Sequence, residues 1–556
     1  MALDADELIA IQERFESDRT YYESNWQDAA DYGMPNQNQI TRKDSPGATR
    51  PDLYDTTAED SNIQLAAGLY SYLFPTDTTK AFVIQIDDSR LNDIDEVKQW
   101  CDKVTTVLHY HLIQSNFRQA FFEFLKSMSC YGPGCLYEEK GLNTPIVFQC
   151  HHISGVYFDL NFDGIADTVS IERNITARQA VQKFKDNLDT VGELVRQAAE
   201  SSKTWNKKFE FIHFVMPRTE YERKSDGTHK DDPLNMPIAS IWVNRTEKCK
   251  VSEDGFPEMP YQISNFDRDP NEVYGRSPMV KCLPDIRMVN HLQKALIKGS
   301  EKQVDPPVIL PDDGSIWPLA TQPGGVIYKR VGSDSPEWFK FEGDLTTLEK
   351  AILRTQQKIQ KGFFLDMFDP LVDRQNMTAT EVMARIEQKI RFLTPIIGRL
   401  QSDLFNPMIH RMMGILGRQT DEKTGQSLLP PIPEVLAGKN YHVMYLGRLA
   451  LAMKTLETEG LVKTLTQWSP LFEANDLSPL DNLDKDIAFR DSLRNNGTPA
   501  TWIKNTEERD AIRQAQAEAQ AQKEMVEQAK TASNAARNLS KQVEEGSPLE
   551  MIANAE

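Results

Sequence analysis

The chain has 556 residues, 40% of them hydrophobic and 26% charged, with a formal net charge of −19. That is apolar material enough for a real core and for roughly three to four domains. The acidic balance argues against a general nucleic-acid binder but leaves room for a local basic surface.

No run of 18 or more apolar residues predicts a spanning helix. The start, "MALDADELIAIQERF", lacks the basic and long apolar regions of a signal peptide, so none is expected. The six cysteines (Cys101, Cys130, Cys135, Cys150, Cys249 and Cys282) form no CxxC pair, which points to reduced thiols.

Residues 1–33 read as a helix that ends at Gly33, with Pro35 just beyond. In "LYDTTAEDSNIQLAAGLYSYLFP" (53–75), Asp55 or Thr56 can cap a helix, Glu59 and Asp60 suit its positive end, and Pro75 stops it. The small residues Ala66, Ala67, Gly68 and Ser71 would let another backbone come close. "AFVIQID" (81–87) reads as a strand and 93–129 as one or two amphipathic helices. "CYGPGCLYEE" is a turn into a strand. From 145 to 265 the pattern is mostly β, interrupted by one helix over 176–200 capped by Thr176.

From 277 the character changes. "SPMVKCLPDIRMVNHLQKALIKGSEKQV" is a helix about 40 Å long at about 1.5 Å per residue. Residues 304–343 are dense in Pro and Gly and predict a compact projection of short strands and turns. A second helix spans 344–363. A loop leads to a very long helix, 378–418, that Pro395 and Pro407 should kink. Residues 506–540 are rich in Ala, Gln and Glu with few large apolar side chains, as in a solvated or weakly coiled helix with a disordered tip. The fold class is α+β, mostly helical.

Three motifs invite chemistry and fail on spacing. "DLNFDGIAD" starts like a calcium loop, but its twelfth position is Ser170 rather than a bidentate Glu, and a hairpin closed by Asp163-Gly164 fits better. "CHH" (150–152) has neighbours on opposite faces of a strand and no second ligand pair at zinc spacing. "YGPGCL" has neither phosphate-loop spacing. No catalytic residues, metal or cofactor are expected.

One pattern is more telling. Arg287, His291, Lys294, Lys298 and Lys302 recur at three- and four-residue steps, and Lys350, Arg354, Lys358 and Lys361 do so on the next long helix. An ordinary solvated face explains such stripes. Two of them bracketing a compact insertion in an acidic chain also suit a surface for phosphate.

The order of these parts resembles the portal, or head-to-tail connector, proteins of short-tailed bacteriophages. The likeness is carried by "LYDTTAEDSNIQLAAGLYSYLFP", "EVYGRSPMVKCLPDIRMVNHLQKALIKGSEKQVDPPVIL", "NMTATEVMARIEQKIRFLTPIIGRLQSDLFNPMIHRMMGIL", "YLGRLALAMK" and "DNLDKDIAFRDSLRNNGTP", running from about residue 20 to 520.

The resemblance implies a ring, usually of twelve subunits, at one capsid vertex. Residues 1–276 would form the wing, 277–303 and 344–363 the stem helices, and 304–343 the clip. A tunnel loop would span 364–377, with Asp366, Asp369, Asp373, Arg374 and Asn376, and a tunnel helix 378–418. The crown would take 419–505 and a C-terminal helix and tail 506–556. The basic stripes would line a DNA channel or lie between subunits. The small-faced helix would serve tight packing of subunit or wing.

Implied partners are further copies of the chain, double-stranded DNA, the major capsid and scaffolding proteins, terminase, a tail adaptor and internal core proteins, with no membrane. The implied location is the virion, with host cytoplasm during assembly. A phage DNA-processing enzyme and a ring-shaped tail component without DNA contact are the alternatives.

Overall fold

A computed structural model describes residues 3–37, 39–42, 52–74, 80–88, 90–91, 94–141, 144–218, 233–309, 337–338, 343–367, 393–420, 425, 427–436, 438–445, 463, 484–495 and 506–541. The chain divides into two units, one of residues 1–81 and 106–431, the other of 82–105 and 432–556.

In the first unit, α1 (Ala5–Gly33) is started by Asp4 in a capping box with Glu7. α2 (Thr57–Leu73) follows, then α4 (Phe117–Tyr131); the intervening α3 (Asp95–Gln114) contains the boundary between the units. Two antiparallel sheets come next. The smaller has β2 (Pro133–Glu139) between β3 (Val147–His151) and β9 (Tyr261–Asn265). The larger runs β4 (Val156–Leu160), β5 (Ala166–Thr176), β6 (Lys208–Pro217), β7 (Ile238–Asn244) and β8 (Cys249–Phe256) in consecutive order. The β4–β5 hairpin turns at Asp163-Gly164, where Gly164 takes a φ of +78°.

Strand alternation gives the larger sheet two apolar faces. Ile212, Phe214, Ile241 and Val243 meet Ala5, Leu8 and Ile9 of α1. Phe209, Phe211, Trp242 and Val251 meet α5 (Ala177–Lys183) and α6 (Glu193–Glu200). The single helix expected over 176–200 is therefore two. Thr176 does cap the first, with Gln179 completing a capping box. The break comes at a 3-10 turn, Lys185–Asn187, and at Gly192, whose φ of +113° no helix accommodates.

A cluster of phenylalanines joins α2, α4 and the later helix. Phe74 lies 5.1 Å from Phe117, 5.6 Å from Phe121 and 5.4 Å from Phe405, between ring centroids. Residues 393–400 are helical, a π turn spans Gln401–Phe405, and α9 (Asn406–Arg418) continues. The expected disturbance at Pro407 takes the form of this π turn. Proline has no N–H, and its ring would crowd the carbonyl of residue 403; one wider turn, with the Asn406 N–H donating to Gln401 O, relieves both. Pro395 lies in the first described turn, and 378–392 fall outside the described residues.

The small residues of α2 are partly accounted for within the chain. Ala58, Ser61, Asn62, Leu65, Ala66 and Leu69 are buried, and α1, α4, α7 (Pro278–Val304) and α8 (Leu345–Gly362) pack on the helix. Ala67 and Ser71 face outward.

In the second unit, β1 (Phe82–Ile86) pairs antiparallel with β12 (Tyr441–Tyr445), with Ile84 opposite Val443. The Thr105 hydroxyl accepts from the Ile84 N–H at 3.1 Å. A strand read as part of the N-terminal region thus shares its sheet with a segment more than three hundred residues later. α10 (Lys485–Asn495) carries Asp486, which accepts from Arg513 at 2.6 and 2.7 Å and from Arg509 at 3.1 Å on α11 (Thr506–Lys541). From 510 to 534 α11 is exposed. Among the described residues no helix is long and apolar enough to cross a membrane.

Arg19 of α1 is 3% exposed. It donates to the carbonyls of Ile153 (3.1 Å), Val156 (3.0 Å) and Ser154 (3.0 Å), and to the Tyr157 hydroxyl (2.9 Å). Removing it strands buried acceptors, so Arg19→Met should cost about 3 kcal/mol in urea unfolding. Arg14→Ala, which breaks the exposed pair with Asp159, should cost less than about 1 kcal/mol. Equal costs would contradict this ranking.

Candidate basic surface on the paired long helices

α7 (Pro278–Val304) starts inside the core. Ser277 caps it, accepting from the Val280 N–H at 3.0 Å while donating to Cys130 O at 2.7 Å. The preceding Tyr-Gly turn is fixed as well. Tyr274 packs edge-on to Trp26 at 5.3 Å and to Phe158 at 4.7 Å. A Cβ on Gly132 would fall 2.2 Å from Gly275 O, so the two backbones touch. Pro278, Met279, Cys282, Leu283, Ile286 and Val289 are buried; beyond them only Gly299 is. One end of α7 is rooted and the other projects.

α8 (Leu345–Gly362) is capped by Asp344, which accepts from the N–H groups of Thr346 (3.0 Å) and Thr347 (3.2 Å). Ile352, Thr355 and Ile359 are its buried stripe. It runs antiparallel to α7. Gly362 meets Cys282, where a Cβ would lie 2.3 Å from the sulfur, and Lys358 bonds Asp285 at 2.8 Å. Between the helices the described residues, 305–309, 337–338 and 343–344, include two short strands, β10 (Val308–Ile309) and β11 (Glu337–Trp338), which pair antiparallel. The rest of the expected projection lies outside the described residues.

A strap of extended chain ties the helix pair to α2. Asn290 donates to Asp52 O at 3.0 Å and accepts from the Tyr54 N–H at 2.7 Å. Lys294 lies 3.9 Å from Asp52 and 5.2 Å from the centre of the Tyr54 ring. Asp55 accepts from the Thr57 N–H at 3.0 Å and, through its other oxygen, from Gln356 at 2.7 Å. Asp55 rather than Thr56 supplies the side-chain bond at the start of α2.

The two stripes therefore split. Arg287 pairs with Asp28 of α1, Lys294 with Asp52, and Lys358 with Asp285. These three are engaged within the chain. His291, Lys298, Lys302, Lys350, Arg354 and Lys361 are exposed and have no ion pair among the described residues. Beside them stand exposed acids, Glu301 and Glu349, and exposed apolar side chains, Ile297, Leu353 and Val304. The surface is amphipathic and mixed in charge, able to meet a phosphate backbone or a neighbouring protein.

Asp366 sits exposed in the 3-10 turn Leu365–Met367. Asp369, Asp373, Arg374 and Asn376 fall outside the described residues. Sequence reasoning missed Asn290 and Gln356. Asn290 carried a signal, being a poor helix former in the middle of an apolar run.

The CHH stretch is structural. His151 accepts from Arg173 at 3.0 Å, and His152 bonds Ser154 at 2.8 Å and Tyr131 at 3.3 Å. Burial and the Arg173 charge hold His151 neutral, pushing its pKa down to about 3. Among the described residues no group of three His, Cys, Asp or Glu could hold a metal.

Asn290→Ala removes both strap bonds at once. Amide hydrogen exchange at Tyr54 should accelerate at least tenfold, with about 1–2 kcal/mol lost from stability. Unchanged exchange at Tyr54 would show that the strap is held elsewhere.

The chain matches the family "Bacteriophage head to tail connecting protein" over residues 5–503. It is 25% identical to the portal protein of Salmonella phage epsilon15, over 99% of this chain and 98% of that protein. It is 24% identical to the probable portal protein of Bordetella phage BPP-1, over 82% and 80% of the two chains. Escherichia phage T7 portal protein is 24% identical over 53% of this chain and 52% of its own. With nearly the whole length matched, and the rooted helix pair lying inside the match, the chain belongs to the bacteriophage head to tail connecting proteins.

Proposed function

We propose that copies of this chain form a ring, of about twelve subunits, at one capsid vertex, and that double-stranded DNA passes through its centre during packaging and ejection. The observation that carries this reading is the family match over residues 5–503, with a portal relative aligned over almost all of both chains. In that frame residues 1–276 serve as wing, α7 and α8 as stem, 304–343 as clip, 364–377 as tunnel loop, 378–418 as tunnel helix, 419–505 as crown and 506–556 as C-terminal helix and tail. The ring docks terminase and later the tail adaptor through the clip, and meets capsid, scaffolding and core proteins around the wing and crown. Its work is mechanical, with no reaction catalysed.

The stem geometry supports a conduit that does not hold its cargo. A bore dense in cations would trap DNA, which carries one charge per about 1.7 Å. Among the described residues the unpaired cations Lys298, Lys302, Lys350, Arg354 and Lys361 stand beside the acids Glu301 and Glu349. The exposed Ile297, Leu353 and Val304 on the same helices favour a second role for that surface, contact between neighbouring subunits.

Lys298→Glu with Arg354→Glu separates the two roles, because neither cation has an ion pair among the described residues. Ring mass and packaged DNA are measured together. An intact ring with packaging reduced at least tenfold assigns the pair to DNA. Loss of the ring assigns it to the subunit interface. Normal assembly with normal packaging would remove both roles from these residues, and a wild-type protein that stays monomeric at high concentration across salt conditions would overturn the ring itself.

A further inference from the structure

The stretch "DLNFDGIAD" (159–167), which lacks the ligands of a calcium loop, forms the tip of the β4–β5 hairpin. Phe162 at that tip is fully exposed, and Ile165 beside it is half exposed. The tip is nevertheless held stiffly. The Asn161 N–H donates to Ile165 O and Asn161 Oδ1 accepts from the Ile165 N–H, both at 2.9 Å. The Gly164 N–H donates to Asn161 O at 2.9 Å, and Arg268 Nη1 donates to Gly164 O at 2.9 Å. A large apolar side chain on a rigid projection has little ordering entropy left to lose on contact. The segment itself carries three carboxylates and no base. Asp159 pairs with Arg14 at 3.0 Å, while Asp163 and Asp167 have no ion pair among the described residues.

The other end of the same sheet carries the opposite chemistry. β5 runs 11 residues from the hairpin to Thr176, about 33 Å at about 3.3 Å per residue. Thr176 lies opposite Lys208, the first residue of β6. The segment leading into β6, "SSKTWNKK" (201–208), holds three lysines and no acid. It is tied to the start of α5, where the Ala177 N–H donates to Lys207 O at 3.0 Å and the Arg178 N–H to Trp205 O at 3.2 Å. Trp205 is exposed, and the Arg178 guanidinium lies 5.4 Å from its ring centre. Arg178, Lys203, Lys207 and Lys208 are exposed and have no ion pair among the described residues.

We propose that these two ends are the halves of one contact between adjacent copies of the chain: the Phe162 tip of one subunit seats on the Trp205 patch of the next, with Asp163 and Asp167 against its cations. The contact rests on the ring reading and names a surface for it. The length of β5 keeps the two patches apart within one chain, so each needs a second copy to meet its complement. Complementary patches at opposite ends of a protomer join head to tail, and such contacts generate a ring when the rotation closes; a self-complementary patch at one end would give a two-fold pair instead. The arrangement, aromatic on aromatic at the centre with opposite charges around it, is that of a specific interface.

Benzoylphenylalanine in place of Phe162, in the purified full-length oligomer, reads the contact directly. Illumination should join two copies of the chain, and the cross-linked peptide of the second copy should lie within 177–208. Phe162→Ser should raise the concentration at which the oligomer dissociates at least tenfold, and so should Trp205→Ser. The two together should weaken it by less than the product of the single effects, because both remove the same contact. Phe162 is fully exposed, so Phe162→Ser keeps the fold, which amide exchange equal to that of the wild type within the hairpin strands checks. A wild-type oligomer in which position 162 gives no cross-link, a cross-link mapping outside 177–208, or single effects that multiply in full would overturn the contact and leave the ring standing. A wild-type chain that forms no oligomer would overturn both.

Discussion

Two helices of 27 and 18 residues that project from a body must be fixed at their base, and this constraint organises the first unit. The buried side chains of α7 fall between Pro278 and Val289, with only Gly299 buried beyond them. Burial of six side chains supplies the adhesion, on the order of 10 kcal/mol before the entropy of ordering is subtracted. Direction comes from polar contacts. Ser277 links the start of α7 to the end of α4, Gly132 and Gly275 let two backbones touch beneath it, and the Asp52–Asp55 strap spans α7 and α8 from the side. Displacing any one of these changes where the far ends of the helices point.

The same unit solves a recurring problem with arginine. Loop carbonyls beside a packed helix lose their water, and a neutral side chain satisfies two of them at best. Arg19 serves three carbonyls around Ile153–Val156, and Arg411 serves Glu138 O at 2.9 Å and Glu258 O at 2.8 Å. Both guanidiniums are 3% exposed. The charge brought in with Arg411 is balanced by Glu258, which also takes two 2.7 Å bonds from Arg418. Glu138 is fully buried near this group. Loss of water pushes its carboxyl well up, while Arg411 partly offsets the shift. Helix α9 is thereby docked by a charge whose counter-charge lies at the surface edge.

How much of this was legible in sequence depends on the range of the interaction. Local signals were read well: the ends of α1, α7 and α8 follow from their flanking residues, and the β4–β5 turn from Asp163-Gly164. The split of 176–200 was missed because its apolar spacing continues across Gly192, and only the φ there reveals the break. The pairing of β1 with β12 left no trace, since nothing in residues 82–86 specifies a partner at 441–445. The basic stripes were visible as spacing. Which cations are consumed depended on Asp28 and Asp52, remote in sequence, and on Asp285, on the same helix as Arg287. The strap was missed because its key residues, Asn290 and Gln356, are neutral and a search for charge passes over them.

The claim that unites sequence, fold and family is that the rooted pair α7–α8 stands beside its copies around a common hole. Imaging the purified oligomer at a resolution that traces helices tests it most directly. The account predicts a closed ring with an open centre, each α7–α8 pair next to the pair of the adjoining subunit, and Lys298 and Arg354 facing either the hole or that neighbour. Rings in which these pairs point outward, away from both hole and neighbours, or particles with no central hole, would contradict it.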